Sequence, residues 1–151
     1  MRFSAGCGWL LMLAALPVLA ADQWTIDHDE SDLSFEATQQ GGVFEGHFGA
    51  FSADMHFSAD DLENSRFDVT VDVTSIDTGS RQRERELPGA EWFAFSDFPE
   101  ATFNTREIQA TADGYAAIGE LRIRDAAHEI TLPFTWDTNQ DQAQMRGAVT
   151  I

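Results

Sequence analysis

Phe67, Val69, Val71 and Val73 alternate with Asp68, Thr70, Asp72 and Thr74. Successive side chains of a strand point to opposite faces, so a period of two in β-branched and aromatic residues predicts a half-buried strand, apolar side inward. The period returns in Leu33, Phe35 and Ala37, in Phe44, Gly46 and Phe48, in Met55 and Phe57, and in Gly119, Leu121 and Ile123. It returns again in Ile130, Leu132, Phe134 and Trp136, and in Met145, Gly147, Val149 and Ile151. Trp24–Asp27 and Ala101–Ile108 add two further strands, and turn signals such as Gln39–Gly42 and Ala112–Gly114 separate the runs. The pattern predicts an all-β antiparallel sandwich or barrel. Gly46, inside a strand, predicts a bend or a close approach by another group.

The alternation is interrupted once at length. After Ile76 comes Asp77-Thr78-Gly79-Ser80, where Thr78 or Ser80 can cap a short helix carrying Arg81, Arg83 and Arg85. The helix ends at Leu87-Pro88-Gly89, and Trp92, Phe93, Phe95 and Phe98 follow before Pro99. Clustered large aromatics after a polar helix suggest a plug or lid over an apolar interior.

The chain has 151 residues, room for one domain. Residues 1–20 read as a signal peptide: Arg2, an apolar run over Trp9–Leu16 too short to span a membrane, and a small-residue cleavage site before Ala21. Residues 21–151 are then expected to be one exported domain, in the periplasm. The lone cysteine of the 151-residue chain, Cys7, lies in the leader, which removes disulfides, iron–sulfur clusters and thiol catalysis from the mature chain. There are 26 acids against 9 bases, every base is arginine, and the net charge is −17. Such a surface repels nucleic acid and anionic headgroups, and acids without lysine suit a protein solvated by concentrated salt.

The residues offer little for catalysis. No serine sits in a G-x-S-x-G elbow and no glycine-rich phosphate loop is present, so no enzyme is expected and no catalytic residue is named. If Phe51-Ser52 tips a hairpin, His47 and His56 face each other on its outer side; two solvated histidines are the expectation there, and no metal. For Arg83 the expectation is pairing with Glu84 and Glu86 and a salt bridge to a strand.

Taken together, S-I-D-T-G at Ser75–Gly79, Arg83 followed by an acid and by Leu87, Trp92-Phe93, and F-P-E-A-T-F at Phe98–Phe103 resemble the signature of the YceI-like family. W-T-I-D near the start, Q-Q-G-G-V-F-E-G-H-F, G-E-L-R-I-R and L-P-F extend the likeness over Trp24–Ile151. Alternation alone leaves a hollow barrel and a filled sandwich open; the resemblance implies a lipocalin-like antiparallel barrel with a short helical insertion and a cavity. It further implies binding of a polyisoprenoid, an isoprenoid quinone or polyprenyl chain, with no cofactor. Strand alternation then assigns Phe35, Phe48, Phe57, Val71, Phe103, Leu121, Phe134 and Trp136 to the lumen. Trp92, Phe93 and Phe95 fall at its mouth, where Arg81 or Arg85 meets a polar ligand end.

The sequence departs from the family pattern at three places. Glu84 replaces the usual aspartate after Arg83, and Asp125, a residue tolerant of left-handed geometry, stands where a turn glycine is usual. The sequence stops at Ile151 where relatives continue: either it is a piece of a longer chain, or its barrel lacks the closing strand and leaves an edge that invites aggregation or dimerisation. A second function stays open, a ligand-free module that docks on a membrane b-type cytochrome.

Overall fold

A computed structural model of the chain describes residues 21–139 and 141–151. The expected signal peptide, residues 1–20, lies outside the described residues. Strands β1 (Gln23–Trp24), β2 (Ser34–Gln39), β3 (Gly42–Phe48), β4 (Phe51–His56), β5 (Arg66–Asp72) and β6 (Ile76–Asp77) precede helix α1 (Arg81–Glu86). Strands β7 (Glu100–Thr111), β8 (Gly114–Ile123), β9 (Ala126–Asn139) and β10 (Gln142–Gly147) follow it. One sheet has seven strands in the order β1-β4-β5-β7-β8-β9-β10, and a smaller one has the order β2-β3-β6. The larger sheet curls into a half-barrel, so the fold is all-β as the alternation predicts and lipocalin-like as the resemblance implies.

The two sheets share continuous strands. β3 runs through Gly49-Ala50 into β4, and β5 runs through a 3₁₀ turn at Val73–Ser75 into β6. At this corner Gly49 N–H donates to the Ser75 carbonyl at 3.1 Å and Ala50 N–H to Ser75 Oγ at 2.9 Å. Asp72 N–H donates to the Ala50 carbonyl at 2.9 Å, so the bend stays hydrogen-bonded through its core. No hairpin is tipped at Phe51-Ser52. His47 therefore pairs in register with Ser34 and Asp77, and His56 with Gln23 and Arg66, rather than with each other.

Turn chemistry fixes the hairpins. Gln40 and Gly41 both take positive φ (51° and 81°) between the paired Gln39 and Gly42, the geometry of a two-residue hairpin whose twist matches its strands. In the β8–β9 turn the left-handed residue is Arg124 (φ 57°), not Asp125. The opening strand stops at Trp24, short of the expected Asp27. Asp27 turns the chain instead, its Oδ1 accepting from Asp29 N–H at 3.1 Å. The last strand ends at Gly147, and Val149 and Ile151 lie beyond it, 41% and 75% exposed.

Within the half-barrel, Phe57, Phe67, Phe103, Ile108, Ala117 and Phe134 form the buried core, contributed by β5, β7, β8, β9 and the segment after β4. The β5–β7 ladder closes with a side chain. A bulge at Arg106 shifts register between Thr105 and Glu107, and the Thr105 hydroxyl accepts from Phe67 N–H at 2.7 Å while donating to the Phe67 carbonyl at 3.0 Å. Outer-face residues pair in water: Arg66 lies 3.4 Å from Asp54 and from Asp68, Arg122 lies 3.0 Å from Glu120, and Arg106 pairs with Glu129.

Candidate ligand-binding site

Aromatic residues gather in three groups. In the first, the Phe57 ring lies 4.6 Å from Trp136, 5.0 Å from Tyr115 and 5.7 Å from Phe134. Phe67 adds contacts to Phe134 at 5.3 Å and, stacked, to Trp136 at 6.2 Å. Phe57 and Phe67 are each 1% exposed, so this end of the interior is packed solid rather than hollow. Phe103 belongs to the same core, and Leu121 and Trp136 pack half-buried against it.

The small sheet holds the second group. Phe35 lies 5.3 Å from Phe48 and 6.1 Å from Phe44, all three half-buried. Gly46 is what admits the Phe35 ring: a Cβ there would lie 2.4 Å from Phe35 Cζ. The close approach expected of this glycine is thus made by a phenyl ring, across the β2–β3 register that opposes Phe35 to Gly46.

The third group lies between α1 and β7. Phe93 and Phe95 are half-buried with rings 6.1 Å apart, and the turns that carry them are tied by Phe93 N–H to the Leu87 carbonyl (3.1 Å) and Ala94 N–H to the Gly89 carbonyl (3.0 Å). Leu87 and Ala94 are the buried anchors of this segment. Ala94 adopts φ 47°, a conformation that small side chains tolerate better than branched ones. Trp92 is 37% exposed at the surface. Among the described residues, no ring pair joins the three groups. Val71, half-buried in β5 between Phe51 and Ala101, lies on the strand face that carries Phe67 and Val69.

Helix α1 starts as the sequence suggests. Ser80 is its N-cap, Oγ accepting from Arg83 N–H at 3.5 Å, while Thr78 is held by Glu84, whose Oε1 accepts from Thr78 N–H at 3.2 Å. Arg81 and Arg85 are exposed on its outside. Arg83 differs from expectation. Among the described residues it has no carboxylate within ion-pair distance; its Nη2 donates to the Thr78 carbonyl at 3.0 Å and its guanidinium lies 4.6 Å above the Phe44 ring. Glu84 serves Thr78 instead, which is why the expected pairing does not form.

Sequence reasoning missed Arg83 as an aromatic-facing group, and it missed Arg124 altogether. Arg124 Nη1 donates to the Trp92 carbonyl at 2.7 Å, and its guanidinium lies 5.8 Å from the Phe98 ring centre. Neither contact has a local sequence signal, since Arg124 and Trp92 are 32 residues apart. Trp92 borders two features. One is a seam with Phe44, Arg83, Glu86 and Leu87 that is too tight for water; the other is an open depression of about 310 Å³ with Glu86, Gly89, Ala90 and Glu91. Among the described residues, no group of three His, Cys, Asp or Glu side chains converges as a metal site would require. His47 and His56 instead face Asp32 at 3.0 Å and Asp54 at 3.1 Å.

Comparison with known proteins gives one consistent likeness. The YceI-like domain family matches residues 24–151. UPF0312 proteins of Yersinia pestis and Yersinia pseudotuberculosis are 29% identical over 125 residues, a match covering 81% of this chain. The chain spans about 65% of the length of those relatives. Among solved structures, Burkholderia cenocepacia BcnA is 31% identical with a TM-score of 0.75, covering 81% of this chain and 77% of BcnA. The Campylobacter jejuni YCEI protein, 23% identical with a TM-score of 0.59 over 78% of this chain and 70% of its own, shares the fold.

Proposed function

The chain belongs to the YceI-like family, and from that premise we propose that it is a periplasmic carrier of an isoprenoid lipid. The family is one of binding proteins rather than enzymes, and the proposed activity is binding alone. The observation that carries the proposal is the half-buried state of Phe35, Phe44, Phe48, Val71, Phe93 and Phe95 beside a core whose own aromatics are fully packed. Apolar side chains left half in water gain free energy when an apolar tail covers them.

In this proposal Phe35, Phe48 and Val71 form the wall, Leu121 and Trp136 the half-buried inner boundary, and Phe57, Phe103 and Phe134 the floor. Trp92, Phe93 and Phe95 flank the mouth. Burying about 600 Å² of apolar surface is worth about 15 kcal/mol. After association costs of at least about 4 kcal/mol, that leaves room for micromolar affinity. The leader-like pattern of residues 1–20 supports export.

Native mass spectrometry with organic extraction, on protein exported in a bacterial envelope, tests the proposal. An added mass that extracts as an isoprenoid quinone or polyprenol is the expected result. A bare polypeptide mass, unchanged when such lipids are offered, overturns it and shifts the weight to a docking module.

A further inference from the structure

Resting on the carrier reading, we propose that Arg83 and Arg124 together receive an electron-rich oxygen end group of the bound lipid, a phosphate or a quinone carbonyl, beside Trp92. The starting observation is a charge imbalance. In a chain with 26 acids against 9 bases, the arginines that form ion pairs among the described residues are Arg66, Arg106 and Arg122, all exposed. Arg83 and Arg124 are half-buried, and among the described residues neither has a carboxylate within 4.0 Å.

Their alternative partners satisfy them only in part. Each donates to one backbone carbonyl and faces one aromatic ring, and each has a buried Nε with no hydrogen-bond partner. A desolvated donor left unpaired is costly, and it is tolerated where another group is to be met. A guanidinium is a planar fork of donors matched to phosphate and carbonyl oxygens. Exposed Arg81 and Arg85 are solvated by water and lack this incentive.

Position favours the same assignment. Arg83 sits on Phe44, whose ring touches Phe35 and through it Phe48, so its charge lies at the rim of the small-sheet aromatics. Arg124 holds the main chain of Trp92 and faces Phe98, and Trp92 borders the seam beside Arg83. The seam is closed to water, and Trp92 is the lining residue that links Arg83 to Arg124.

The test uses three ligands of equal tail length: a polyprenyl hydrocarbon without oxygen, a polyprenyl monophosphate and an isoprenoid quinone. Affinities are measured for the full mature chain and for Arg124→Gln, Arg83→Gln and the double variant Arg81→Gln/Arg85→Gln, each checked for folding by circular dichroism. The expected result is at least tenfold tighter binding of one oxygen-ended ligand than of the hydrocarbon. That preference falls at least fivefold in Arg124→Gln or Arg83→Gln and stays in the double variant, and the ligand preferred identifies which oxygen group is received. Equal affinity for all three ligands, or a preference undiminished in both single variants, overturns the assignment while the carrier reading stands. If folded wild-type protein binds none of the three, the carrier reading fails and this inference with it.

Discussion

The indole of Trp24 meets that of Trp136 edge to face, ring centres 5.3 Å apart and planes at 73°. Trp24 lies in β1 at one edge of the seven-stranded sheet, and Trp136 in β9, one strand in from the other edge. Residues that far apart in strand order touch only because the sheet curls, so this pair reports the curvature directly. Trp24 Nε1 also donates to the Phe57 carbonyl at 3.0 Å, tying the first strand to the centre of the core.

Replacing Trp24 with phenylalanine keeps a ring against Trp136 but removes the N–H donor, leaving the Phe57 carbonyl unpaired. The expected loss is about 1–2 kcal/mol for the hydrogen bond, and Trp24→Ala costs about 3–5 kcal/mol by adding a cavity. Urea unfolding measures both; a change under 0.5 kcal/mol in Trp24→Ala would mean that the curl does not depend on this contact.

Thr105→Val tests the hydroxyl that replaces a ladder bond at the bulge. Valine matches the shape and loses both hydrogen bonds, so Phe67 N–H and C=O are left without partners, at a cost of about 2–4 kcal/mol for the two groups. Thr105→Ser, which keeps the hydroxyl, recovers most of that stability in the same chemical denaturation series.

Two glycine variants separate a yielding obstacle from a rigid one. In Gly46→Ala the new Cβ meets the Phe35 ring, which can rotate. In Gly119→Ala it lies 2.3 Å from the Asn104 carbonyl oxygen, which is backbone. Overpacking costs about 1–3 kcal/mol where side chains can shift and more where backbone must move. Gly119→Ala is therefore expected to melt lower than Gly46→Ala, and the proposed lipid affinity to fall in Gly46→Ala because Phe35 is displaced.

Salt is expected to stabilise the chain. With a net charge of −17, self-repulsion opposes the compact state. The screening length shrinks from about 10 Å at 0.1 M to about 3 Å at 1 M ionic strength. The melting temperature should rise across that range of sodium chloride, and a flat or falling profile would show that the acids are neutralised locally instead.

Much of the fold was legible because a strand's period of two is a local property. Phe67, Val69, Val71 and Val73 turn inward as their spacing says, Gln40-Gly41 makes its turn, and Ser80 caps its helix. What the sequence did not reveal depends on strand order. Whether His47 and His56 meet turns on whether the chain bends or folds back at Gly49-Ala50, and alternation is the same in both cases. The site was readable to the same depth. Apolar side chains such as Phe35 and Phe57 follow from alternation, whereas Arg83 on Phe44 and Arg124 on the Trp92 carbonyl are long-range contacts with no local pattern behind them. Burial grade was equally hidden, since nothing in the spacing separates the packed Phe57 from the half-buried Phe48.

The hydrogen-bonded corner at Gly49, Ala50 and Ser75 has a consequence for cooperativity. The same two chain segments, β3–β4 and β5–β6, run through both sheets, so the small sheet keeps only β2 to itself when the larger one melts. Loss of order in β3 and β6 propagates through the corner into β4 and β5, the second and third strands of the larger sheet. The chain should unfold as one thermodynamic unit, and a lipid touching only the small sheet should raise the melting temperature of the entire domain in a single transition.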